Sequence, residues 1–103
     1  MNGNWPLEIT FENLDQMPPG LYLDIRDKAS YLAGHHPRFM HAPLDQIGLW
    51  SKQLDRSRPI YLVCEHGDRA KAVALKLREQ GYQAFSLIGG MYQYAMTFNP
   101  LYY

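Results

Sequence analysis

The chain has 103 residues, of which 47% are hydrophobic and 19% charged, and its ten basic residues balance ten acidic ones. That length suits one domain with a real core, and the composition excludes a disordered chain. The charge balance removes the basic excess on which nucleic-acid binding rests. No apolar run approaches the roughly 20 residues of a membrane helix, and the start, MNGNWPLEIT, lacks the basic and apolar stretches of a secretory signal. The single cysteine, Cys64, cannot form an internal disulfide, which fits a reducing compartment. The expectation is a cytoplasmic single domain over residues 1–103, with neither nucleic acid nor membrane as partner.

In chain order, Glu8 to Phe11 reads as a short strand and Asn13 to Gln16 as one helical turn stopped by Pro18 and Pro19. Leu21 to Ile25 (LYLDI) is a buried strand, and Asp27 caps a short helix through Tyr31 and Leu32, closed by Gly34. Phe39 to Ala42 forms another short strand. Leu44, Ile47, Trp50 and Leu54 fall on one face, so residues 44–54 read as an amphipathic helix. Ile60 to Cys64 (IYLVC) is the clearest buried strand. Ala70, Val73, Ala74 and Leu77 follow at helical spacing up to a stop at Gly81. Ala84 to Ile88 is the last strand, Gly89-Gly90 a turn, and Met91 to Met96 a final helix. Strands alternating with helices imply crossover connections and a parallel sheet, whose ligands gather at the carboxyl ends of the strands. Cys64 stands at one of those ends.

A thiol reacts as its thiolate and needs surroundings that favour the anion. Three are offered here: the N-terminus of the helix starting near Arg69, a turn over residues 65–69 in which Gly67 lets main-chain N–H groups converge, and the Arg69 guanidinium. A lone cysteine at a strand end is also a common core filler. The Gly-x-Arg that follows favours a reactive thiolate or an anion site.

The loop CEHGDRA (64–70) resembles the active-site loop of the rhodanese family, C-x-x-G-x-R-S. LDIR (23–26) resembles the family's Asp-Val-Arg strand end. GHHPRFMHAP (34–43) is similar to G-H-I-P-G-A-x-N-I-P at Gly34, His35, Pro37 and Pro43. LIGGMYQY (87–94) is similar to L-x-G-G-[IM]-x-x-W. These pieces occur in the family's order and cover about residues 7–97.

The resemblance implies an α/β fold, rhodanese-like, with a five-stranded parallel sheet flanked by helices on both faces. Catalytic Cys64 would lie in a substrate-binding loop of Glu65, His66, Gly67, Asp68, Arg69 and Ala70. It also implies a reaction. The thiolate takes the outer sulfur of a donor such as thiosulfate, releases sulfite, and passes the sulfur from a persulfide to cyanide or an external thiol. A protein sulfur donor or acceptor is a further possible partner, and neither metal nor organic cofactor is implied. From Cys64 to Arg69 the ring has six residues. Related phosphatases and arsenate reductases use the longer Cys-x5-Arg, so the shorter ring favours sulfur over an oxyanion.

Several residues depart from the family pattern. Ala70 replaces a frequent Ser, Arg38 a Gly, His41 an Asn and Tyr94 a Trp. Glu65 and Asp68 place two carboxylates where they oppose the thiolate and repel dianionic thiosulfate. His66 reads as an exposed loop tip, with a general-base role as the other reading. His35, His36 and His41 with Cys64 lack a clear metal-ligand spacing. Asp24 and Arg26 read as structural residues that orient main chain near the loop, and TFNPLYY as a packed terminus. The rival to an active sulfurtransferase is a non-catalytic rhodanese-like interaction module; retention of Cys64 separates the two. With no second cysteine, no internal sulfur relay is available.

Overall fold

The computed structural model describes residues 5–98. Five strands form one all-parallel sheet: β1 (Glu8–Ile9), β2 (Leu21–Asp24), β3 (Met40–His41), β4 (Ile60–Val63) and β5 (Ala84–Leu87). Their spatial order is β1-β5-β4-β2-β3. The helices are α1 (Phe11–Leu14), α2 (Lys28–Ala33), α3 (Ile47–Trp50), α4 (Asp68–Glu79) and α5 (Gly90–Phe98). β4 runs centrally, with Leu21 opposite Ile60 on one side and Ala84 opposite Ile60 on the other. All four of its residues are buried, as expected for a strand covered above and below.

Alternation along the strands builds two cores. Ile60, Leu62 and Ala84 face Ala70, Val73, Ala74 and Leu77 of α4, with Leu44, Ile47, Trp50 and Leu54 packed alongside. Tyr61, Val63, Phe85 and Leu87 face the opposite side, against Phe11 and Leu14 of α1 and Met91 of α5. The predicted parallel sheet with helices on both faces is what forms. Among the described residues no helix is long and apolar enough to cross a membrane.

Two predicted elements change. The first strand ends at Ile9 because Thr10 caps the next helix: its hydroxyl accepts the N–H of Asn13 at 3.1 Å, so Phe11 opens α1. Residues 44–54 form no continuous helix. A 3-10 turn over Leu44–Gln46, the four residues of α3 and a second 3-10 turn over Ser51–Gln53 follow one another. Pro43 at the start, Gly48 in the middle and the Trp50 indole N–H bound to the Pro43 carbonyl at 2.8 Å tighten the path. The predicted apolar face nevertheless packs on the core, because a 3-10 turn still returns every third or fourth residue to one side. Most of the aromatic tail, 99–103, lies outside the described residues.

Candidate active site

β4 delivers its last residue, Val63, into pairing with β2, where the Ile25 N–H donates to the Val63 carbonyl at 2.9 Å. Cys64 follows at once, at the carboxyl edge of the sheet. The chain reverses through residues 64–67, and Gly67 adopts φ +100°, a left-handed conformation costly for any residue with a Cβ. α4 starts one residue later.

An α-helix leaves its first N–H groups without intrahelical acceptors. Gly67, at the cap position of α4, has no side chain with which to accept one. The Cys64 sulfur takes that place. Sγ receives the Gly67 N–H at 3.1 Å and the Ala70 N–H at 3.2 Å. The thiol is therefore the acceptor for a helix N-terminus, in a position that is 4% exposed. Two main-chain donors and the positive end of α4 converge on the sulfur. Ala70 contributes its main chain from behind the loop, so the hydroxyl it lacks is not needed for this contact.

α5 holds the loop from the other side. The Met91 N–H donates to the Cys64 carbonyl at 2.8 Å and the Tyr92 N–H to the Glu65 carbonyl at 2.9 Å. This explains the Gly89-Gly90 pair. A Cβ on Gly90 would stand 2.4 Å from the Cys64 carbonyl oxygen and 2.6 Å from the Glu65 carbonyl carbon.

Asp24 and Arg26 form a buried ion pair at the end of β2, with side chains 0% and 5% exposed. The guanidinium also donates to the Gly34 carbonyl at 2.8 Å and reaches Glu65 Oε1 at 3.3 Å. The sequence reading of these two residues as organisers of nearby main chain fits, with an addition. Arg26 ties down the side chain of the residue after the cysteine, so the Glu65 carboxylate is met by a cation and is not aimed unopposed at the sulfur.

Above Cys64 opens a cleft of about 850 Å³. Asp27, Lys28 and Ser30, which follow β2, and Leu44, Asp45 and Gln46, which follow β3, line it. Glu65, His66, Asp68 and Arg69 line it beside the cysteine, whereas Gly67 and Ala70 do not. Arg69 lines the cleft, and among the described residues it donates no hydrogen bond to the sulfur, so it closes no ring of donors around it. It is the second residue of α4, and it is exposed. His66 is exposed, as expected of the loop tip.

Sequence reasoning missed Lys28, Ser30, Asp45 and Gln46 as cleft residues. The available signal was topological: the segments after β2 and β3 lie at the same carboxyl edge as Cys64. The other histidines are occupied away from the cleft. His35 Nδ1 contacts the Tyr31 carbonyl at 2.8 Å, His36 Nδ1 accepts the Arg38 N–H at 3.1 Å, and His41 Nε2 contacts the Arg26 carbonyl at 2.8 Å. Tyr31 stacks between His35 and His41 at centroid distances of 3.7 and 4.6 Å. Burial, aided by nearby Arg38, lowers the pKa of His36. Among the described residues no three His, Cys, Asp or Glu side chains gather as a metal site would require.

The family model described as Rhodanese-like domain matches residues 10–97. The chain belongs to the rhodanese-like family. That family lies within the sulfurtransferase superfamily. A rhodanese homolog from the extremely thermophilic bacterium Thermus thermophilus is 32% identical, with a TM-score of 0.65 over 81% of this chain and 94% of its own. A rhodanese-like domain protein from Staphylococcus aureus is 26% identical, with a TM-score of 0.73 over 82% and 86%. The Bacillus anthracis protein CoADR-RHD, 23% identical, shares the fold with a TM-score of 0.77 over 85% of this chain and 16% of its own.

Proposed function

We propose that this rhodanese-like protein is a sulfurtransferase that carries a sulfane sulfur on Cys64. The observation that carries the reading is the pair of main-chain N–H groups on Sγ at the floor of an open cleft. Thiosulfate is the small donor proposed. The Cys64 thiolate attacks its outer sulfur, the bond from that sulfur to the sulfonate sulfur breaks, and sulfite leaves with the electron pair. The product is a cysteine persulfide in the N–H cradle, which acts as an oxyanion hole acts on oxygen. An external thiol or cyanide then attacks the outer sulfur, and the thiolate returns. Neither half-reaction needs a metal or organic cofactor, and a reducing cytoplasm keeps the thiol free.

A second donor is favoured by one observation. The carboxylates of Asp27, Asp45, Glu65 and Asp68 line the cleft against the cations of Arg26, Lys28 and Arg69, a balance that gives a dianion little net attraction, so a protein persulfide that brings its own complementary surface is the alternative supply. A non-catalytic interaction module, the rival reading, would keep the sulfur as a helix cap and take up no sulfur from a donor.

An intact mass spectrum after brief incubation with thiosulfate tests the proposal. A gain of one sulfur atom, removed by cyanide as thiocyanate and absent from Cys64→Ser, is expected. No gain from thiosulfate or from a protein persulfide, with the thiol still open to alkylation, would overturn it.

A further inference from the structure

Resting on that reading, we infer that His66 is the proton acceptor for the incoming thiol in the second half-reaction. An acceptor thiol with an ordinary pKa of about 8.5 is mostly protonated at neutral pH, yet only its thiolate attacks sulfur. A base beside the persulfide would remove that proton as attack begins. Imidazole titrates closest to neutrality among the side chains, the condition under which a general base is most effective.

The structure separates His66 from the other three histidines. Each of those has a ring nitrogen engaged by a main-chain group. Among the described residues, neither ring nitrogen of His66 makes a hydrogen bond; its ring only leans on Tyr92, centroid to centroid 5.4 Å at 40°. His66 lines the same cleft as Cys64 and is exposed, so the imidazole is open to an acceptor that enters the cleft. The charged groups that share the cleft with it are mixed: Asp68 and Arg69 on α4, Arg26, Asp27 and Lys28 after β2, Asp45 after β3, and Glu65. Of the two carboxylates beside the cysteine, Glu65 is held by Arg26 and Asp68 accepts the Arg69 main-chain N–H at 2.9 Å.

The step balances without a further reagent. The proton of R–SH passes to His66, and R–S⁻ attacks the outer sulfur of the persulfide. The bond between that sulfur and Sγ breaks, and its electron pair stays on Sγ, again under the Gly67 and Ala70 N–H groups. The acceptor leaves as R–S–S⁻, and His66 returns its proton to water.

The test uses persulfide-loaded parent and His66→Gln proteins, with loading confirmed by mass. Two acceptors are compared: 2-mercaptoethanol, protonated at neutral pH, and 2-nitro-5-thiobenzoate, which is already a thiolate. General-base loss should lower the 2-mercaptoethanol rate roughly hundredfold relative to the 2-nitro-5-thiobenzoate rate. The advantage of the parent over the variant with 2-mercaptoethanol should shrink at alkaline pH, where the thiol ionises without a base. Equal slowing of both acceptors, or no slowing of either, would overturn the inference. Failure of the parent to load any sulfur would instead sink the sulfurtransferase reading, and this inference with it.

Discussion

The N–H of Met91 donates to the carbonyl of Cys64 at 2.8 Å, so the residue bearing the thiol is held by two helices at once: α5 grips its carbonyl and α4 caps its sulfur. The separation of 27 positions between these partners is closed by β5, which pairs with β4 and returns the chain to the same edge. That contact leaves no room for a side chain at Gly90.

Gly90→Ala should accordingly damage both stability and loading. The left-handed backbone at φ +63° alone costs on the order of 1–3 kcal/mol for a non-glycine residue, before the clash with the Cys64 and Glu65 carbonyls is added. A lower urea midpoint together with slower persulfide formation is the expected result. A stable variant with unchanged loading would show that α5 does not position the loop.

Arg26→Met should destabilise the fold more than a surface change. It leaves the fully buried Asp24 carboxylate without its cation, a loss of roughly 3–5 kcal/mol for a broken buried pair. The double variant with Asp24→Leu should recover much of that loss, since no buried charge then remains. Denaturant titration of the three proteins checks the order; a double variant no better than the single one would refute it.

Asp68 and Glu65 should differ in their effect on thiosulfate. Both line the cleft, but Glu65 is met by Arg26. Asp68→Asn should raise kcat/KM for thiosulfate roughly two- to fivefold at low salt, because exposed charges a few ångströms apart interact by about 1 kcal/mol or less. The gain should shrink as salt screens it. Glu65→Gln should give a smaller gain, since it also weakens the link to Arg26. Steady-state rates at two ionic strengths distinguish the two, and a larger gain from Glu65→Gln would reverse the assignment.

His36 should make stability fall on the acid side of neutrality. Its folded-state pKa lies below the ordinary value near 6.5, because burial among Phe11, Phe39 and Tyr94 disfavours the cation. The unfolded chain therefore takes up a proton at this site first as the pH drops. Stability from this group is fully present above about pH 6.5 and is lost as the pH falls from there towards the folded value. Urea midpoints between pH 8 and pH 5 should show the decline, and His36→Phe should flatten it. An identical slope in the variant would assign the decline elsewhere.

The sequence by itself determined the sheet and its polarity. IYLVC is apolar on both faces and AFSLI nearly so, with Ser86 as its one polar residue, the helix after Cys64 repeats at 3.6 residues, and CEHGDRA marks the strand-to-helix junction. These signals are local, since each is set by burial or backbone freedom within a few residues. Asp24, Arg26 and the Gly89-Gly90 pair were also visible, as motif pieces whose purpose was not. Tertiary structure decided what they do. Arg26 meets Glu65 across 39 positions, and Gly90 is glycine because a carbonyl from another loop occupies the space of its Cβ. Tertiary structure also decided that Lys28, Asp45 and Gln46 line the same cleft as the thiol, and that Arg69 lines it without a hydrogen bond to the sulfur. Such contacts depend on which strand ends become neighbours, and a parallel sheet makes neighbours of residues that no local pattern connects.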